Sequence, residues 1–262
     1  MTAPSSIPPL HYVEAGQGRK TAILIHGFPM TSALWHKVAP LLEDNIRLIM
    51  PDLRGFGGSA VKGSLHLNFE TLADDIARLM DNLDIAQAHI VGASLGAMVS
   101  MVFAHRHQSR TQSLVIFHSE ADPDDEEAKL TRNSQIKFVR NQGAKGFARH
   151  FAKRILGRSA KAEDLEFLSD MMSQASARAM IAGLRLLRDR SDLRLLLPNI
   201  TTPALIVAGA EDPHSPPHVM EKTADLFSNG QFHIMDGVRH LSAIECPQSA
   251  AKIVRDWVLT HS

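Results

Sequence analysis

The stretch at residues 88–96, AHIVGASLG, is an apolar run that ends in the pattern G-x-S-x-G. Glycines on both sides of a serine permit a sharp turn from a strand into a helix, on which the serine hydroxyl is exposed. Alone the pattern is weak, since roughly 0.1 copies are expected by chance in a chain of this length. Its place after a strand and before a helical pattern favours Ser94 as a nucleophile over a turn of small residues that only packs helix on strand.

Similar apolar runs recur along the chain, at residues 21–27, 46–52, 88–94, 113–118 and 203–209. Such runs are typical of strands that are buried on both faces, and these strands are usually parallel. Amphipathic stretches lie between them; the clearest begins at Phe69, with Asn68 placed as its N-cap. The alternation predicts the α/β fold class, with a mostly parallel central sheet flanked by helices.

Residues 120–197 interrupt this alternation. The segment lacks buried-strand runs, opens with the acidic stretch DPDDEE at 122–127 and continues as helical sequence rich in Lys and Arg. We expect a helical lid at 120–197, inserted in a core domain formed by 1–119 and 198–262. The basic run of this lid could bind an anionic acid or form a solvated helix face; its members are Lys129, Arg132, Lys137, Arg140, Lys145, Arg149, Lys153 and Arg154.

The charge balance disfavours nucleic acid as a partner. The 262 residues carry 28 Lys and Arg against 28 Asp and Glu, so no excess of cations is available to displace counterions from a polyanion. The single cysteine, Cys246, cannot form an intramolecular disulfide and fits a reducing compartment. The first residues resemble no secretion signal, and no run of about 18 apolar residues predicts a membrane span. We therefore expect a cytoplasmic protein without a membrane partner; its oligomeric state stays open.

A serine nucleophile needs a base, and the base needs an orienting acid. Asp212 follows the strand PALIVAG and His240 follows the strand QFHIMDG, so both are expected at the carboxyl edge of the sheet. Among 14 histidines, His240 has both the location and the order that a base following its acid requires. The acid is less sharply defined, since the alternatives to Asp212 are Glu211, Glu120 and Asp122.

An oxyanion that develops on the substrate needs preorganised N–H donors. The backbone N–H of Leu95, directly after the nucleophile, is one candidate donor, and that of Phe28, in the loop after the first apolar run, is the other. Histidines and carboxylates are not clustered at ligand spacing, so we expect no metal and no organic cofactor.

The chain resembles the α/β-hydrolase superfamily over almost its whole length. The resemblance is carried by HGFP at 26–29, PDLRGFGGS at 51–59, GASLGA at 92–97, GAEDPHSPP at 209–217 and GVRHLSAIECP at 237–247. It implies Ser94 as nucleophile, Asp212 as acid, His240 as base, and Phe28 and Leu95 as oxyanion donors. Asp52 and Arg54 match a structural turn of the family, where Gly55 and Gly57 supply unusual backbone angles. Within the superfamily the chain looks most like small lid-bearing carboxylesterases and 3-oxoadipate enol-lactonase-like enzymes.

The expected function is that of a serine hydrolase that cleaves a small carboxylic ester or lactone through an acyl-enzyme on Ser94. Three alternatives stay open at this point. A carbon–carbon bond hydrolase would use the same triad, as would a perhydrolase or cofactor-free haloperoxidase. A ligand-binding protein on this fold would have lost catalysis.

Overall fold

The computed structural model describes residues 9–157 and 160–261. Within these ranges one sheet of seven strands has the order β1-β3-β2-β4-β5-β6-β7. Strands β2 to β7 are parallel, and β1 is antiparallel to β3 at one edge. The strands are β1 (Tyr12–Ala15), β2 (Lys20–Ile25), β3 (Ile46–Pro51), β4 (Ala88–Ala93), β5 (Thr111–Phe117), β6 (Ala204–Gly209) and β7 (Gly230–Met235).

Helices connect the strands and cover both faces of the sheet. They are α1 (Phe69–Asn82), α2 (Leu95–Arg106), α3 (Glu126–Ile155), α4 (Ala162–Ser173), α5 (Ala177–Arg188), α6 (Pro217–Asp225), α7 (Ser242–Glu245) and α8 (Pro247–Thr260). Asn68 caps α1 as predicted, because its side-chain oxygen accepts the N–H of Thr71 at 2.6 Å. In the described ranges, no helix combines the length and the apolarity needed to cross a membrane.

The predicted α/β class is confirmed, since each apolar run forms a central strand. Every residue of β4 is buried, as expected for a strand covered on both faces. Strand β1 lies outside those runs because it is an edge strand whose four residues are only half-buried or exposed. An edge strand with one neighbour needs no continuous apolar sequence.

Three long helices, α3 to α5, lie between β5 and β6, all within the segment predicted as a lid. Helix α3 is divided into two arms by Gly143, whose φ of +71° and ψ of 177° are not helical. This conformation suits glycine, which has no Cβ to clash in the left-handed region. Helix α5 packs against the loop after β2: a Cβ on Gly183 would lie 2.5 Å from Cε2 of Phe28.

A buried ion pair joins the chain entering α3 to the chain leaving α5. The guanidinium of Arg190 contacts the carboxylate of Asp124, and both side chains are at most 3% exposed. Arg132 donates to the other oxygen of Asp124 at 3.0 Å, and Arg190 Nε donates to the backbone oxygen of Asp122 at 2.8 Å. These contacts satisfy charges that would be costly to bury alone.

We expect Asp124→Ala to lower the free energy of unfolding by about 3–5 kcal/mol, because it leaves the buried cation of Arg190 without its main partner. The matched control is Asp122→Ala, which removes the exposed partner of Arg194 and should cost about 1 kcal/mol or less. Urea unfolding of both variants measures the difference. Equal losses would show that the buried pair does not attach α3 to α5.

Candidate active site

Ser94 lies at the turn between β4 and α2, with a φ of +53° and a ψ of −118°. A positive φ at a residue with a side chain costs on the order of 1–3 kcal/mol and must be held by the surroundings. The backbone N–H of Ser94 donates to the backbone oxygen of Phe117 at 2.9 Å. The backbone oxygen of Ser94 accepts the N–H of Ala97 at 2.9 Å. The strained turn is as the sequence predicts, whereas Ser94 is half-buried and not exposed as expected.

The two glycines of the turn are required by close packing. A Cβ on Gly92 would lie 2.5 Å from the oxygen of Gly96, and a Cβ on Gly96 would lie 2.3 Å from the oxygen of Ile25. Such distances are shorter than real Cβ contacts. The turn therefore lets α2 begin directly against β2 and β4, with its positive dipole end at Ser94.

Three side chains from the ends of β4, β6 and β7 form one hydrogen-bonded chain. Ser94 Oγ donates to His240 Nε2 at 3.1 Å, and His240 Nδ1 donates to Asp212 Oδ2 at 2.8 Å. Asp212 is 3% exposed and His240 is 7% exposed. This arrangement allows proton transfer from the hydroxyl to an imidazole that a carboxylate orients.

The carboxylate of Asp212 is stabilised in its charged form. Its Oδ1 accepts the backbone N–H of His214 at 2.8 Å and that of Ser215 at 3.3 Å. Burial by itself would raise the pKa of Asp212, but the charge and hydrogen bond of His240, with the N–H of His214, outweigh burial and lower it. Asp212 can therefore orient and stabilise a protonated His240.

The loop that carries His240 is shaped by Glu245. Its carboxylate accepts the N–H of Arg239 at 3.1 Å and that of Leu241 at 2.8 Å, on either side of the histidine. The same carboxylate accepts the N–H of Gly157, which follows α3, at 3.2 Å. One side chain thus holds the histidine loop and links it to the helices between β5 and β6.

The backbone N–H groups of Phe28 and Leu95 have no acceptor among the described residues. The two loops are in contact, since a Cβ on Gly27 would lie 3.2 Å from Cβ of Ser94. His26 holds the first loop: its Nδ1 donates to the oxygen of Gly27 at 2.8 Å, and its Nε2 accepts the N–H of Leu53 at 2.9 Å. Burial lowers the pKa of His26, so the ring stays neutral and keeps both bonds.

The alternative acids do not contact His240. Glu211 is exposed, and Asp122 pairs with Arg194 at 2.8 Å. Glu120 lies 3.4 Å from Arg190 Nη2. Of the four carboxylates considered from the sequence, only Asp212 is hydrogen-bonded to the histidine.

A cavity of about 340 Å³ opens above Ser94 and is walled by charged as well as apolar side chains. Of the basic run in the predicted lid, Arg132 and Arg154 line it, and the apolar wall includes Phe28, Phe151 and Leu187. No group of three histidine, cysteine or carboxylate side chains in the described ranges is placed to hold a metal ion.

The turn after β3 is structural, as the sequence suggests. Asp52 accepts the N–H of Ser32 at 2.7 Å and that of Gly58 at 2.8 Å. Gly55 and Gly57 have φ values of +93° and +49°. Arg54 pairs with the buried Asp75 of α1. These residues stabilise the loop beneath the site and do not contact Ser94 or His240.

Sequence reasoning missed His26 and Glu245, whose hydrogen bonds hold two loops of the site. It also missed His118, whose Nδ1 lies 3.7 Å from Asp212 Oδ2. Their signal is weak, because a single histidine or glutamate near a strand end resembles any surface residue. HG at 26–27 and the acidic residue five positions after His240 are the only local cues.

A family profile described as alpha/beta hydrolase fold matches residues 21–247. A pimeloyl-[acyl-carrier protein] methyl ester esterase of Aeromonas hydrophila is 28% identical over 253 residues, covering 93% of this chain and 96% of that protein. A 3-oxoadipate enol-lactonase of Acinetobacter baylyi is 26% identical, covering 92% and 89%. The structure of a thermophilic esterase from Thermogutta terrifontis superposes with a TM-score of 0.89 at 30% identity, covering 96% and 93%.

The carboxyl group of Glu120 should make the stability of the protein depend on pH. Burial, opposed by Arg190, raises its pKa from 4.5 to about 7, so the folded chain holds this proton more tightly than the unfolded chain. The contribution of Glu120 to stability therefore falls as the pH rises from about 4.5 to about 7, and then levels off. Glu120→Gln should gain stability relative to the wild type over this window, which unfolding curves at several pH values measure. A stability difference between Glu120→Gln and the wild type that does not change with pH would contradict the raised pKa of Glu120.

Proposed function

The chain belongs to the alpha/beta hydrolase fold family, and from the geometry at Ser94 we propose that it is a serine hydrolase of a small carboxylic ester or lactone. The observation that carries the proposal is the continuous hydrogen-bonded chain from Ser94 through His240 to the buried Asp212. It ends in a cavity large enough for a small substrate.

In the first half of the proposed reaction, Ser94 Oγ attacks the substrate carbonyl carbon and its proton passes to His240 Nε2. The oxyanion of the tetrahedral intermediate accepts hydrogen bonds from the N–H groups of Phe28 and Leu95, which have no other acceptor among the described residues. His240 then gives the proton to the leaving oxygen as the carbon–oxygen bond breaks, and an acyl-enzyme remains on Ser94.

In the second half, water attacks the acyl carbon while His240 takes one of its protons. The bond to Ser94 Oγ breaks, and His240 returns the proton to this oxygen. An ester gives a free alcohol and an acid, whereas a lactone gives one molecule, because its alcohol stays attached to the acyl group. Asp212 stays ionised throughout and stabilises His240 when it is protonated.

The names of the relatives support this reaction class. Two of the matched proteins are an esterase and an enol-lactonase, and one of the superposed structures is that of an esterase. Esters and lactones both have a carbonyl next to an oxygen leaving group. The cavity wall decides which acyl and alcohol groups of a substrate fit. The proposed partner is a small molecule.

We propose that residues 120–197 form a lid on a core of residues 1–119 and 198–262. The cavity supports this division, since most of its wall above Ser94 comes from the segment between β5 and β6. We also propose a cytoplasmic location, because the one cysteine of the sequence is free and half-buried.

Ser94→Ala should lower kcat for a p-nitrophenyl ester by at least about 10³-fold while leaving the fold unchanged, because it removes the nucleophile. A fluorophosphonate probe should label the wild type and not the variant. The matched control is Ser173→Ala, at a half-buried serine at the end of α4 that does not line the cavity, and this variant should keep both activity and labelling. A folded wild type that fails to react with the probe would favour a ligand-binding protein.

A panel of p-nitrophenyl esters, lactones and carbon–carbon ring-fission products tests the substrate class. We expect kcat/KM to be highest for an ester or lactone, since two N–H donors and one base suffice for acyl transfer to serine. Preference for the ring-fission products would replace ester hydrolysis with carbon–carbon hydrolysis. Peracid formation from hydrogen peroxide that exceeds hydrolysis would favour a perhydrolase.

A further inference from the structure

His118 is a buried histidine that the proposed reaction does not use. It follows β5 directly, is 1% exposed and has a φ of +52°. Its backbone N–H donates to the oxygen of Val207 at 3.0 Å, and its backbone oxygen accepts the hydroxyl of Ser215 at 3.2 Å. The residue is therefore held rigidly between β6 and the loop that carries Asp212.

The imidazole of His118 bridges the acid and histidine loops. Its Nε2 accepts the backbone N–H of Ser242 at 3.2 Å and lies 2.9 Å from Ser242 Oγ. Because Nε2 is an acceptor, the ring proton is on Nδ1. This nitrogen lies 3.7 Å from Asp212 Oδ2, the same oxygen that accepts from His240, and has no hydrogen-bond partner among the described residues.

The ring of His118 is uncharged. Burial first, and then the charge of His240, lower its pKa to about 3 against the opposing effect of Asp212. Asp212 and His240 are the titratable groups whose charges act on it, and the centroid of its ring is 5.9 Å from that of His240. It therefore brings an N–H dipole to the carboxylate without adding a second positive charge.

We propose that His118 is a positioning residue for the acid–base pair: anchored by Ser242, it directs its Nδ1–H at Asp212 Oδ2 and holds the loops of Asp212 and His240 in register. This inference rests on the proposed hydrolase reaction. A buried polar atom without a partner is costly and calls for a reason. Here the reason is the carboxylate beside it, whose charge the N–H dipole stabilises and whose position it restrains.

The restraint on Asp212 acts on catalysis through the orientation of His240. Asp212 Oδ2 accepts the Nδ1–H of His240, so a carboxylate that is held less firmly orients the base less firmly. Proton transfer from Ser94 depends on this orientation, whereas binding of the substrate does not. Replacement of His118 by an apolar residue should therefore lower kcat more than it changes KM.

Two substitutions separate this role from simple packing. His118→Leu removes the N–H at similar volume, whereas His118→Asn places an amide N–H where Nδ1 lies and tolerates a positive φ. We expect His118→Leu to lower kcat on the order of tenfold with KM little changed, the scale for groups that orient a functional histidine. His118→Asn should recover most of the lost kcat.

The matched control is His89→Leu, at a fully buried histidine in β4 whose Nε2 has no partner in the described ranges. His89 lies at the far end of the strand from Ser94, so His89→Leu should lower stability without lowering kcat. If His118→Leu loses stability but keeps the wild-type kcat, or if His118→Asn does not recover kcat, His118 has only a packing role and the proposal is wrong.

A readout independent of hydrolysis keeps the two proposals distinct. In protein labelled with ¹⁵N-histidine, NMR should show His118 neutral with its proton on Nδ1. A wild type that shows this signal but cleaves no ester or lactone would overturn the proposed function alone. His118 with its proton on Nε2 would overturn the positioning role alone.

Discussion

The left-handed turn at Ser94 is the constraint on which the rest of the site depends. It turns the chain from β4 into α2 within one residue. The hydroxyl of Ser94, the backbone N–H of Leu95 and the positive end of α2 therefore lie at one point. The turn exists only because Gly92 and Gly96 let backbone atoms approach closer than a Cβ permits. Its conformational cost is offset by burial of α2 between the sheet and its neighbours.

Around this point, residues that are not consecutive hold the reacting groups at hydrogen-bonding distance. Asp212 is buried with two backbone N–H donors, and Glu245 accepts an N–H on each side of His240. His26 holds the loop of Phe28 by donating to the oxygen of Gly27 and accepting the N–H of Leu53. A carboxylate or a neutral imidazole with defined partners is rigid in the buried site, so little reorganisation is needed when charge develops on the substrate.

Beside the cavity, an ion pair joins the chain segments that flank helices α3 to α5. Asp124 and Arg190 pair in a nearly dry environment and join the two chain segments that enter and leave the helices above the site. Glu120, with a pKa raised to about 7, and Arg132 face the same cavity. The wall is thus polar as well as apolar, whereas Met171, Met172 and Met180 of α4 and α5 are buried in the core.

The sequence alone determined the order of strands and motifs along the chain, the turn at Ser94 and the choice of His240, because periodicity and turn chemistry are carried by neighbouring residues. Only the tertiary structure separated Asp212 from Glu211, Glu120 and Asp122, and only it revealed His118 at 3.7 Å from that carboxylate. Burial, pKa shifts and contacts between residues about 100 positions apart arise when strand ends meet at one edge of the sheet. No local pattern encodes these distances, since each depends on how the whole chain packs.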